Sequence, residues 1–192
     1  MFHLIYTFDN KMEFKTLAEQ IKFAESIPIS TDDLRKITNN ETAIWEYHQL
    51  ADMRSIDELF VEHESAIILY ELQGDIGHFI AVIRDVERNY IRHYDSYKLD
   101  PDGEINLFKH KVPYYSQLLY TSYYGVDLNN HQHQQFREAI QSCGRHSALR
   151  CIYKHLTNDE YHKFISSKPT IHSPDELVSV MTMASLHYAT QQ

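Results

Sequence analysis

At 192 residues, 43% hydrophobic and 12% aromatic with only five Gly and five Pro, the chain reads as one generous globular domain, able to bury a core without help from a metal or a disulfide. A formal net charge of −9 excludes a general nucleic-acid binder, because phosphate contacts need clustered Lys and Arg. The two cysteines, Cys143 and Cys151, would sit roughly 12 Å apart along one helix, too far for a disulfide, so a reducing, intracellular compartment is expected; no signal peptide or membrane-length apolar run is found.

In chain order, MFHLIYTF suggests a short strand or extended arm. Phe14, Leu17, Ile21 and Ala24 recur at helical spacing up to Pro28, and Thr31 with Asp32 and Asp33 predicts an N-cap for a short helix through Ile37. Ser55 and Glu58 have capping-box spacing. AIILYEL, residues 66–72, is a continuous apolar run, the mark of a strand buried on both faces. Two further strands follow, Phe79–Arg84 and Tyr90–Tyr94, around the charged turn DVERN. Pro113 to Tyr124 reads as a tyrosine-rich amphipathic helix. Cys143 opens another, with Ala148, Leu149, Ile152 and Leu156 on one stripe. Thr157/Glu160 and Ser173-Pro174/Glu176 cap two more. Helices, a small antiparallel sheet, then helices is an α+β order.

Chemistry gathers around the hairpin. With the turn centred near Val86 and Glu87, His78 falls directly opposite Asp95 on the same face, where a carboxylate can hold one imidazole nitrogen. Cys143, in QSCGRHSALRC, stands where a helix begins, and free N–H groups and the macrodipole favour its thiolate. Arg145 and His146 are expected to add to that effect, and Gly144 to allow close approach to the sulfur. Cys151, one helix length on, reads as packing.

Taken together, GHF (77–79), YDSYKLDPDGE (94–104), CGRHSALR (143–150) and EYHKF (160–164) resemble the adenovirus-protease and ubiquitin-like-protein-protease clan of cysteine proteases, and more closely the maturation proteases of giant DNA viruses and virophages. The likeness spans about residues 45 to 188. It implies a papain-like, adenain-like fold, with a small, mostly antiparallel central sheet flanked by helices and the nucleophile at a helix N-terminus. Carried over by position, His78 is the base, Asp95 fixes its tautomer and Cys143 is the nucleophile. Of Gln132, Gln134, Gln135 and Gln141, the clan's spacing favours Gln135 for the oxyanion and finds Gln141 too near Cys143. Phe79 stands where the clan commonly has Trp.

The resemblance further implies a viral endopeptidase that cleaves capsid or core precursors during virion maturation, in the host cytoplasm or virion. Its partners would be a polypeptide substrate and an optional activating peptide; the net negative charge argues against a nucleic-acid activator, and no membrane, cofactor or metal is expected. Residues 1–44 are read as an N-terminal extension and 45–192 as the protease domain. The rivals are a deubiquitinating or deSUMOylating isopeptidase of the same clan and a catalytically inactive binding module. His110, His131 and His133 lack zinc-ligand spacing. His93 is expected to be packed, the Tyr114–Tyr124 cluster to be core, and DPDGE to be a solvated turn.

Overall fold

The computed structural model describes residues 16–71, 77–103, 105–107, 109, 111–167 and 173–189. MFHLIYTF, Phe14, Leu72, Glu104 and His110 lie outside them. Five strands form one sheet in sequence order: β1 (Ala43–Glu46), β2 (Ser65–Glu71), β3 (Gly77–Asp85), β4 (Tyr90–Tyr94) and β5 (Gly125–Leu128). The expected antiparallel pairing holds at the centre, β2–β3–β4, while β1 and β5 add parallel edges. Neither short edge strand was anticipated. Four residues are too few to establish a period, and parallel pairing depends on distant chain segments.

The helices are α1 (Leu17–Ser26), α2 (Thr31–Ile37), α3 (Tyr114–Tyr120), α4 (Cys143–Ile152), α5 (Asn158–Ser166) and α6 (Pro174–Ala189). Capping chemistry sets the starts of α1, α2 and α5. Thr16 with Glu19 and Thr157 with Glu160 form reciprocal boxes. For α2 the cap is Ser30, one residue before the expected Thr31, because its hydroxyl accepts from Asp33 N–H while Asp33 reaches back. Ser55 and Glu58 cap a 3-10 turn, Ile56–Leu59.

Each sheet face has its own core. One packs Ile68, Tyr70, Ile80, Val82 and Ile91 against α3 and the 3-10 turns. The other packs Ile67, Phe79, Ala81 and Tyr94 against α4 and, beyond it, residues of α2, α5 and α6. As a result α4 is buried on nearly every side from Gly144 to Cys151. The predicted stripe is therefore wrong at its end: Ile152 is 43% exposed. Arg145 and Arg150 are buried instead, and both bond to backbone carbonyls.

DPDGE is not a solvated turn throughout. Asp102 is buried, with φ 57°, and accepts from the Tyr47 hydroxyl and Ser116 N–H. The tyrosine cluster divides: Tyr115 is core, while Tyr120 and Tyr123 are exposed.

Candidate active site

β3 carries His78 at its second residue, and Asp95 follows directly after β4. The turn between the strands is Val86–Asn89. Asp85 accepts from Arg88 N–H, and Asn89 takes the left-handed conformation, φ 58°. Centred one residue later than expected, this turn pairs Ala81 with Tyr94 and Val82 with His93, two residues from the register expected from sequence. An even shift keeps residues on their original faces. His78 and Asp95 thus meet diagonally rather than squarely, and His78 Nε2 lies 2.7 Å from Asp95 Oδ2. Both are almost fully buried, at 5% and 1% exposure.

The carboxylate is itself fixed: Asp95 Oδ1 accepts from Tyr97 N–H at 2.7 Å, and its backbone oxygen accepts from the Asn129 amide at 2.8 Å. Burial opposes its charge, but the His78 charge and hydrogen bond outweigh that and hold its pKa below the usual range. Burial likewise disfavours imidazolium at His78; the charge and hydrogen bond of Asp95, joined by Cys143, overcome it and push the His78 pKa up to about 10.

Cys143 begins α4, is half-buried, and lies close enough to the His78 imidazole for the two to shift each other's pKa. With Nε2 committed to Asp95, Nδ1 is the ring atom left for the sulfur. Burial raises the thiol pKa, but His78 and the N–H groups of Phe79 and Gly144 lower it further than burial lifts it. At Cys151, by contrast, burial outweighs the nearby Arg150 charge and the Ser65 and Thr42 hydroxyls, and its pKa is pushed up to about 12. Phe79 thus serves through its backbone: its N–H faces the sulfur and its carbonyl accepts from Ser147 at 3.0 Å.

Three sequence expectations need correction. Arg145 points away from the sulfur, to Ala24 O and Thr182 Oγ1. His146 turns to Asp175, 3.0 Å away. The space beside Gly144 is filled by Ile29 and Phe79, so this glycine serves packing and not approach to the sulfur.

Gln135 lies half-buried with its N–H donating to Asp175, and its side-chain amide makes no hydrogen bond among the described residues. Gln134 is committed to Ser96 and Ile140 O, Gln132 to Gln134 O, and exposed Gln141 to Glu138 O. His93 is packed as expected, bonded to Leu99 O, with its pKa lowered by burial.

Sequence reading missed Asp175, Ser142 and a hydrogen-bonded run of rings. Asp175 holds His146; Tyr94 joins His146 to His133; His133 Nε2 lies 3.0 Å from His162 Nδ1. Burial first, then the neighbouring histidines, keep His133 neutral with a pKa of about 3. Among the described residues, no group of three metal-ligating atoms within 4.8 Å includes His131 or His133; the one such group is Glu46, His48 and Glu71, largely exposed.

No family model matches the chain. It is 26% identical over 175 residues to the uncharacterized protein V9 of the Sputnik virophage, covering 86% of this chain and 99% of V9. Among solved structures it is similar to the ASFV pS273R protease, with a TM-score of 0.45 and 15% identity over 82% of this chain and 67% of that one. It is also similar to the SUMO protease Ulp1, with a TM-score of 0.41 and 13% identity over 88% and 76% of the two chains.

Proposed function

We propose that this chain is a virus-encoded cysteine endopeptidase that cleaves capsid or core precursor proteins during virion maturation. The observation that carries the chemistry is a buried His78–Asp95 pair, 2.7 Å apart, whose imidazole lowers the pKa of the cysteine that opens α4. The similarity to a virophage protein supports the viral origin. The maturation role, the host-cytoplasm or virion setting and an activating peptide rest on the sequence resemblance.

In this reading the Cys143 thiolate attacks a peptide carbonyl carbon, and the electron pair moves to the carbonyl oxygen. Gln135 and a backbone N–H receive that oxyanion. His78, as imidazolium, gives its proton to the amine as the C–N bond breaks, leaving a thioester. His78 then takes a proton from water, which attacks the thioester and frees Cys143. Asp95 fixes the ring and stabilises its cationic form throughout.

The test is limiting iodoacetamide near pH 6, with the labelled cysteine mapped by mass spectrometry. An unperturbed thiol, with pKa about 8.5, is almost wholly protonated there. Fast labelling of Cys143 alone, slowed by His78→Ala, is expected. Equal, slow labelling of Cys143 and Cys151, indifferent to His78, would sink the reading. Incubation with a capsid precursor, beside ubiquitin-like fusions, then tests the substrate class.

A further inference from the structure

Asp175 lies in the first turn of α6, far along the chain from the hairpin, and its side chain is fully buried. Its two oxygens face two different segments. Oδ1 accepts from the hydroxyl of Ser142, the residue before Cys143, at 2.5 Å, and from His146 Nε2 at 3.0 Å. Oδ2 accepts from the N–H of Gln135 at 3.1 Å. One carboxylate therefore joins the start of α4 to the loop that carries Gln135. His146 is held in turn from behind, through Nδ1, by the Tyr94 hydroxyl at 3.3 Å.

We infer that Asp175 is a positioning residue for acyl transfer, setting the separation between the Cys143 nucleophile and the Gln135 oxyanion donor. This rests on the protease reading above. A helix-capping acid needs only exposed N–H groups, and Glu176 beside it already occupies the capping-box position relative to Ser173. Asp175 instead makes three hydrogen bonds, two to α4 and its preceding residue and one to the Gln135 backbone. Oxyanion stabilisation is sharply distance-dependent, and a displacement near 1 Å can cost on the order of 10²-fold in rate.

The prediction separates two reactions of one thiolate. Acylation by p-nitrophenyl acetate forms the S–C bond, passes through an oxyanion and expels p-nitrophenolate. Alkylation by iodoacetamide displaces iodide and forms no oxyanion. In Asp175→Asn, the amide offers one oxygen where two are used, so one segment loses its anchor. The expected result is a burst rate with p-nitrophenyl acetate lower by about tenfold or more, with iodoacetamide labelling of Cys143 within about threefold of wild type; Cys143→Ala supplies the background.

An unchanged acylation-to-alkylation ratio in folded Asp175→Asn overturns the inference, and so does a parallel fall in both rates with a collapsed thermal melt, which marks a merely structural role. If that variant does not fold, Ser142→Ala removes the hydroxyl anchor alone and is expected to lower the same ratio several-fold; a wild-type ratio there overturns the inference. Wild-type protein that reacts with neither reagent at Cys143 removes the protease reading itself, and this inference with it.

Discussion

At the scale of single residues, the site depends on charge being cheaper to keep than to neutralise inside a nearly dry pair. Asp95 receives two N–H donors, from His78 and Tyr97, so ionisation is favoured despite burial. The consequence for stability has a definite sign. His78 has a folded-state pKa raised from 6.5 to about 10, so its contribution is complete below pH 6.5 and is lost as pH climbs toward 10. Asp95 has a lowered pKa, so its contribution is present above its ordinary value of 3.8 and is lost as pH falls through the folded value. Thermal unfolding of wild type and His78→Gln should therefore differ most between about pH 4 and 6.5 and converge by pH 10. A gap that stays constant from pH 6 to 10 would contradict the raised imidazole pKa.

At the scale of elements, α4 decides whether these residues meet. It presents Cys143 at its first position and lies against β3 through Gly144, whose missing side chain admits neighbours. A Cβ there would stand 2.8 Å from Ile29 Cγ1 and 3.1 Å from Phe79 Cδ2. Gly144→Ala gains about 1 kcal/mol of helix propensity but overpacks at a cost of about 1–3 kcal/mol. The expected net outcome is a lower urea midpoint and slower labelling of Cys143, as the helix start is displaced. Because the shortest contact is with Ile29, the same change should cost less on an Ile29→Ala background, which a double-mutant cycle measures. Equal costs on both backgrounds would place the strain elsewhere.

At the scale of the whole molecule, the described residues before β1 pack on the elements that bear the site. Glu25 O accepts from Gln141 N–H at 2.6 Å, and Ala24 O accepts from the buried Arg145 guanidinium at 3.1 Å. Arg145 carries its charge without a carboxylate partner among the described residues, and burial pulls its pKa down to about 10. Removing residues 1–27 would take away both acceptors, and the loss at buried Arg145 would cost about 1–3 kcal/mol. A deletion beginning at Pro28 should lower the urea midpoint and slow iodoacetamide labelling of Cys143. Wild-type values of both would make the segment an independent appendage.

Much of this was legible locally. Capping boxes at Ser55 and Thr157, the apolar run of β2, the hairpin and the helix opening at Cys143 are properties of a few adjacent residues, and the helix order follows from them. The pairing of His78 with Asp95 was foreseen even though the turn centre was misplaced by one residue, because that moves the register by two and the two-residue period of a strand forgives an even error. What only the tertiary structure decided concerns groups whose partners lie far along the chain. Asp175 reads locally as one more acid in a helix's first turn; its burial against Ser142, His146 and Gln135 follows from where α6 crosses α4. Arg145 and His146 sit beside Cys143 in sequence yet turn away from it, because successive helix residues point about 100° apart and α4 is enclosed on every side. Sequence determined the helices, the central strands and the chemistry they carry, since periodicity and capping are short-range; the folded chain alone determined the edge strands and which charges share a buried space, since both are set by contacts between distant segments.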